Sequence, residues 1–194
     1  MPTPSPIPDP PNMEILPWYS NERRLPSYRF VPGLHPHPIR DPKGHRHRAI
    51  RAQIHPFWLP DQWRTLEAYL HGVDLFNRFY FWEAHETWEA LWKSHPRHAD
   101  PARFIQGLIN TAAALLKLHL QAGPSSLKLW RAAIRQLTPF RDRCWMGIEV
   151  DRFCNAMDIY LQPRGQGSLP ALGTDTPIIL LIDERANGLI VPPT

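Results

Sequence analysis

The chain has 194 residues, 43% apolar and 21% charged, which is one domain plus tails with enough material to bury a core. Two cysteines exclude a disulfide framework and a cysteine-only zinc site; no apolar run is long and unbroken enough to span a bilayer; and the Pro-rich N-terminus has neither region of a signal peptide. The net charge of +4 is mild, and the expectation is a cytoplasmic protein with no membrane partner, a homo-oligomer being left open.

Fourteen of the 23 prolines fall in residues 1–60. Residues 1–24 therefore read as a disordered Pro-rich tail. Residues 25–58 differ, because Tyr28, Phe30, Val31, Leu34, Ile39, Phe57 and Trp58 are interspersed among the prolines. They read as an extended His/Pro-rich arm that packs on a core. The arm carries the basic run Arg40, Lys43, Arg46, Arg48 and Arg51. Such a run can meet a phosphate backbone, but its plain reading is a solvated loop, so nucleic acid is not the expected partner.

The helical part starts at Leu59-Pro60-Asp61, where Pro60 stops anything upstream and Asp61 can cap. The spacing predicts a first helix over 60–77, with Trp63, Leu66, Leu70, Val73 and Phe76 on one face, and a second over 79–94, ending before Pro96. A third runs from Pro101 to Gln121, with Gly123 as its C-terminal signal. A fourth covers 124–137, where Leu127, Trp130, Ile134 and Leu137 keep a 3-4-3 spacing. A short fifth covers 151–161, and 163–194 form a loop and tail in which Pro177–Ile182 is a short strand or extended. No strand series alternates. The fold class is all-α: a small antiparallel bundle of about five helices over 59–162 with a Pro-rich N-terminal arm.

The second helix reads Phe-Trp-Glu-Ala-His-Glu-Thr-Trp-Glu-Ala-Leu-Trp over 81–92. At 100° per residue, His85, Glu89 and Trp92 fall within about 60° of one another, flanked by Phe81, Trp82 and Trp88. This places His85 and Glu89 on the inward face, with Glu86 at its edge. The third helix is apolar almost all round, yet Gln106, Asn110 and Lys117 form a narrow polar stripe. Buried charges need partners and buried amides need hydrogen bonds, so the simplest arrangement sets His85, Glu86 and Glu89 against Gln106, Asn110 and Lys117, with Arg103 capping the cluster.

That cluster is either a polar network that fixes helix register or a site. As a site, His85, Glu86 and Glu89 are the catalytic candidates, acting as acid, base or ligand, and Trp92, Gln106, Asn110 and Lys117 are the ligand-binding candidates. His-Glu-Thr-Trp-Glu lacks the second histidine of HExxH, so no metal is written in the spacing. The arm adds His35, His37, Asp41, His45 and His47. These build turns, or the arm folds over the groove between the second and third helices and brings His37, Asp41 or His45 to His85 and Glu89. The metal candidates are therefore His37, His45, His85 and Glu89, and the candidate cofactor is a divalent metal. The tryptophans at 58, 63, 82, 88 and 92 read as core rather than as a stacking surface.

The stretch Phe79-Tyr80 … His85-Glu86-x-x-Glu89-x-x-Trp92 … Phe104-Ile-Gln106-Gly107-Leu-Ile resembles the domain of unknown function family three hundred and nine, a small all-helical group from bacteria and archaea. The resemblance covers about residues 66–140, and the arm over Ser27–His45 looks like an N-terminal extension of some longer members. It implies a helical fold in which the second and third helices face each other, and it makes His85, Glu86, Glu89, Trp92, Gln106 and Gly107 the motif residues. It brings with it no activity, substrate or cofactor. Three functional expectations follow: a small-molecule or metal site at the His/Glu cluster, a structural or protein-interaction domain, and a weak phosphate or nucleic-acid binder through 40–51.

Overall fold

The computed structural model describes residues 4–47, 55–163, 168–183 and 188–189. Five α-helices form the body: α1 (Glu67–Asn77), α2 (Phe81–Trp92), α3 (Asp100–His119), α4 (Gly123–Leu137) and α5 (Val150–Tyr160). The mostly helical class expected from the sequence is what the chain adopts. Among the described residues, no helix is long and apolar enough to cross a membrane.

Consecutive helices pack on one another from α1 to α4, as short connections favour. The predicted first helix is split. Pro60–Thr65 is a 3-10 turn, with Gln62 Oε1 accepting the Leu59 N–H, and α1 begins only at Glu67. Phe79 then takes a left-handed φ of 63°, which breaks the chain sharply between α1 and α2. Packing holds this strained residue, since Phe79 is fully buried and stacks on Phe81. Gln121, not Gly123, is the left-handed residue that ends α3, at φ 54°, and Gly123 opens α4. The α3–α4 pair is antiparallel: Gly107 near the start of α3 faces Leu137 at the end of α4, and the Ser126 hydroxyl donates to the Ala114 carbonyl.

A hairpin that the periodicity did not announce links α4 to α5. Strand β1 (Cys144–Trp145) pairs with β2 (Ile148–Glu149) around Met146 and Gly147, both at positive φ. The Tyr69 hydroxyl donates to the Met146 carbonyl and so pins the hairpin to α1. The C-terminal segment is more than a loop, because Leu172, Ile179 and Leu181 are buried. Asn77 binds Ile179 through both its N–H and its carbonyl. Of Pro177–Ile182, expected as a short strand or an extended segment, Ile182 pairs in β3 (Ile182–Asp183) against β4 (Gly188–Leu189), and 177–181 form no strand.

The N-terminal segment departs from the expectation of a disordered tail over 1–24. In residues 4–24, Ile7, Tyr19 and Ser20 are buried, and Asp74 of α1 and Arg78, which caps the end of that helix, hold Leu16 to Ser20. The physical reason is a set of buried charges at the end of α1 that need backbone partners. The arm from 25 packs on the helices, with Phe30, Val31 and Trp58 buried. Residues 48–54, which include Arg48 and Arg51 of the basic run, lie outside the described residues.

Candidate functional site

Helix α2 is covered on two sides. Phe81, Ala84, Trp88 and Leu91 face the helical core, and Glu83 is buried on the other side beneath the arm. His85, Glu86 and Glu89 lie between these coverings and are half-buried. The sequence reading places His85 and Glu89 on the inward aromatic face; each side chain is in fact 30% exposed. The correction follows from helix geometry, because the core arc centres on Ala84 and Trp88, about 80–120° from these residues.

His85 Nε2 lies 3.1 Å from Glu89 Oε1, one turn along the helix, and the Lys93 ammonium pairs with Glu89 Oε2. Glu86 completes the group. Ligand atoms of His85, Glu86 and Glu89 all lie within 4.8 Å of one another, the one such cluster of three or more His, Cys, Asp or Glu among the described residues. The arrangement can hold a cation, or pair an imidazole with a carboxylate for proton transfer.

The facing polar stripe does not join it. Gln106 donates to Asn110 within α3 at 3.2 Å, Lys117 is exposed, and Arg103 sits 4.0 Å from Asp100. Among the described residues, no hydrogen bond or ion pair links Glu86 or Glu89 to these side chains. The hydrogen bonds and ion pairs of the two stripes are therefore made within each helix rather than between them. The stripe is satisfied along its own helix and at the surface, so it needs no carboxylate from α2. Trp92 stands beside Arg97, whose guanidinium lies 5.4 Å from its ring.

Nor do His37 and His45 complete the cluster. His37 Nδ1 accepts the N–H groups of Ile39 and Arg40, and its ring packs on Phe30 and Trp82. His45 Nε2 bonds Glu83 Oε1 at 3.0 Å, an oxygen that also accepts the Phe30 N–H. The arm does fold over α2, but it meets the helix through Trp82 and Glu83. Glu83 is 2% exposed, and its second oxygen has no partner among the described residues.

Sequence reasoning missed Glu83, Asp74 and Arg78, all almost fully buried. Burial pushes the Asp74 carboxyl above its ordinary range despite its hydrogen bonds, and it pulls the Arg78 guanidinium down. A signal was available: Asp74 and Arg78 are charges one turn apart in the apolar run 69–81.

Two cavities, of about 660 and 540 Å³, open elsewhere. His119, Gly123 and Leu169 line the first, and Trp63, Arg64 and Trp145 the second. Neither touches the cluster, so size and chemistry disagree about where a ligand goes. The converging donors on α2 carry more weight, because volume without oriented polar groups fixes no ligand.

The two carboxyls of the cluster are driven apart. Burial and then the charge of Glu89 raise Glu86 above its ordinary 4.5, offset only in part by His85, Arg46 and Lys93. Burial also pushes Glu89 up, but hydrogen bonds from Lys93 and His85 outweigh it and leave that carboxyl below 4.5. A raised carboxyl keeps its proton longer in the folded state, so Glu86 costs stability as pH rises from 4.5 through its folded value. Glu89 has the opposite sign: its stabilisation is present above 4.5 and is lost as pH falls through its lowered value. Glu86→Gln is thus expected to be more stable than the wild type by about 0.5 kcal/mol near neutral pH with a chelator present. The difference should vanish in acid below the ordinary carboxyl range. Thermal melts at the two pH values check this, and a variant less stable than wild type at neutral pH contradicts it.

Residues 69–136 match the family model described as Domain of unknown function (DUF309). Neither a curated protein nor a solved structure matches the chain. The match runs from the start of α1 almost to the end of α4 and contains His85, Glu86, Glu89, Trp92, Gln106 and Gly107. The helices that carry the His/Glu cluster therefore lie within the segment that is similar to this family.

Proposed function

We propose that this helical domain binds a divalent metal ion through His85, Glu86 and Glu89. The observation that carries the reading is the convergence of one imidazole and two carboxylates, with ligand atoms within 4.8 Å, on a half-buried helix face. Ligands of a common ion at ~2.0–2.2 Å stand about 3–3.5 Å apart, so closure needs side-chain movements of about 1 Å and release of Lys93 from Glu89. One nitrogen and two oxygen donors suit zinc, manganese or iron, and three protein ligands leave positions for water or a substrate oxygen. A bound ion would supply Lewis-acid chemistry there. Trp92 follows Glu89 by three residues on the same helix, a spacing that sets the two on one side of it.

The ion pair already made by Lys93 with Glu89 favours a second reading, in which the cluster is a self-neutralised network that only supports packing. One experiment separates the two. Chelator-stripped protein is titrated with zinc and with manganese by calorimetry, and freshly purified protein is analysed for metal. The expected result is one equivalent of bound ion and a stabilisation of about 2.7 kcal/mol at a hundredfold excess over Kd. His85→Ala and Glu89→Gln should each weaken binding at least about tenfold. Absence of saturable binding, or equal affinity in His85→Ala, leaves the structural reading.

A further inference from the structure

Leu16 to Ser20 cross the C-terminal end of α1 on a course fixed by Asp74 of that helix and by Arg78, which caps it. Asp74 accepts the N–H groups of Tyr19 at 2.8 Å and Ser20 at 2.9 Å, and the Ser20 hydroxyl at 2.6 Å. One turn on, Arg78 donates to the carbonyls of Leu16 at 2.8 Å and Pro17 at 3.2 Å. Its guanidinium also lies 3.6 Å from the centre of the Trp18 ring. A carboxylate gripping two successive N–H groups and a guanidinium gripping two successive carbonyls read an extended backbone. The tryptophan face and the serine hydroxyl add side-chain selectivity.

Three features set this apart from an arm that is merely packed. The reading residues lie inside the DUF309 segment, whereas the residues they read lie outside it. Asp74 and Arg78 are themselves an ion pair at 3.9 Å, so each keeps a counter-charge if the segment leaves. The link onward, Glu22 to Arg24, is exposed. Tyr19 shares the hydrophobic core with Leu70, Val73 and Phe76 of α1, and its hydroxyl accepts the Leu181 N–H at 3.1 Å, so a competing segment must place an aromatic ring there.

We propose that the C-terminal end of α1, with Asp74 and the capping Arg78, is a peptide-binding site. Its resident ligand is the chain's own Leu-Pro-Trp-Tyr-Ser segment, and its partner is an extended Pro-aromatic-aromatic-Ser segment of another protein, which competes with the resident one. The tethered segment acts at a high effective concentration, so the site opens to a partner when the link is cut or strained. This does not depend on a metal at His85, Glu86 and Glu89.

The test uses the full chain with a specific protease site placed in the exposed Glu22–Arg24 link. After cleavage, with every residue still present, a fluorescent peptide reproducing residues 12–24 is titrated by anisotropy while far-ultraviolet circular dichroism follows the helices. The expected result is saturable exchange into the nicked chain with unchanged helicity, at least about tenfold weaker binding to the uncut chain, and at least about tenfold weaker binding of peptides carrying Trp18→Ala or Ser20→Ala. Asp74→Asn in the nicked chain should weaken binding similarly. Should that variant fail to fold, the peptide variants, which leave the helices untouched, still decide. Lack of saturable exchange, equal binding of the altered peptides, or loss of helicity as the resident segment departs overturns the proposal.

Discussion

Replacing Gly72 by alanine is expected to destabilise the protein by about 3 kcal/mol, although the same change in an ordinary helix stabilises by roughly 1 kcal/mol. A Cβ at Gly72 would lie 2.0 Å from Trp88 Nε1 and 2.5 Å from two further ring atoms. Trp88 is fully buried, and its indole N–H donates to the Tyr69 carbonyl at 3.2 Å. The ring is rigid and packed against Phe76, so it can move only with the α1–α2 contact. Overpacking of ~3 kcal/mol and a lost hydrogen bond of ~1 kcal/mol outweigh the gain in helix propensity. The melting temperature should fall by roughly 6–12 °C for a chain of this size. Adding Trp88→Phe should recover part of the loss by making room for the methyl group. A rise in melting temperature for Gly72→Ala alone would mean that the two helices approach less closely at this point.

This close approach was not legible in the sequence, whereas the helices that make it were. Proline placement and apolar spacing located α3, α4 and α5 to within a residue or two, because those signals are local. The orientation of α2 was read with one covering in mind. Angular arithmetic groups His85, Glu89 and Trp92, but it does not say that an arm lies on the opposite side and buries Glu83 there. The cluster itself was legible, since spacing of one and four residues sets His85, Glu86 and Glu89 together on any helix. Its partners were not. Lys93 extends the cluster along its own helix, while Gln106 turns to Asn110, a choice that depends on helix rotation. The docked N-terminal segment was hidden for a further reason. Asp74 and Arg78 are satisfied largely by backbone groups of residues 16–20, and backbone groups leave no mark in a sequence. Proline-rich composition was then read as disorder, although proline also lowers the entropy lost when an extended segment docks.

Asp74→Ala is expected to cost about 3–5 kcal/mol. The substitution leaves the N–H groups of Tyr19 and Ser20 without an acceptor and strips the buried Arg78 of its counter-charge, which lies 3.9 Å away. Undocking of Leu16–Ser20 lets water reach these groups, so the loss is bounded by the free energy that docks the segment. Tryptic cleavage at the exposed Arg23 and Arg24 should accelerate accordingly. Arg78→Met should also be costly, since it removes the donors to the Leu16 and Pro17 carbonyls and the cation over Trp18. In the double variant no buried charge is left unpaired, so its loss should fall short of the sum of the two single losses by at least about 1 kcal/mol. Urea unfolding of the four proteins measures this coupling. Additive losses would show that the two charges act separately, each through its own backbone partners, and that the vacant face would not neutralise itself when the segment departs.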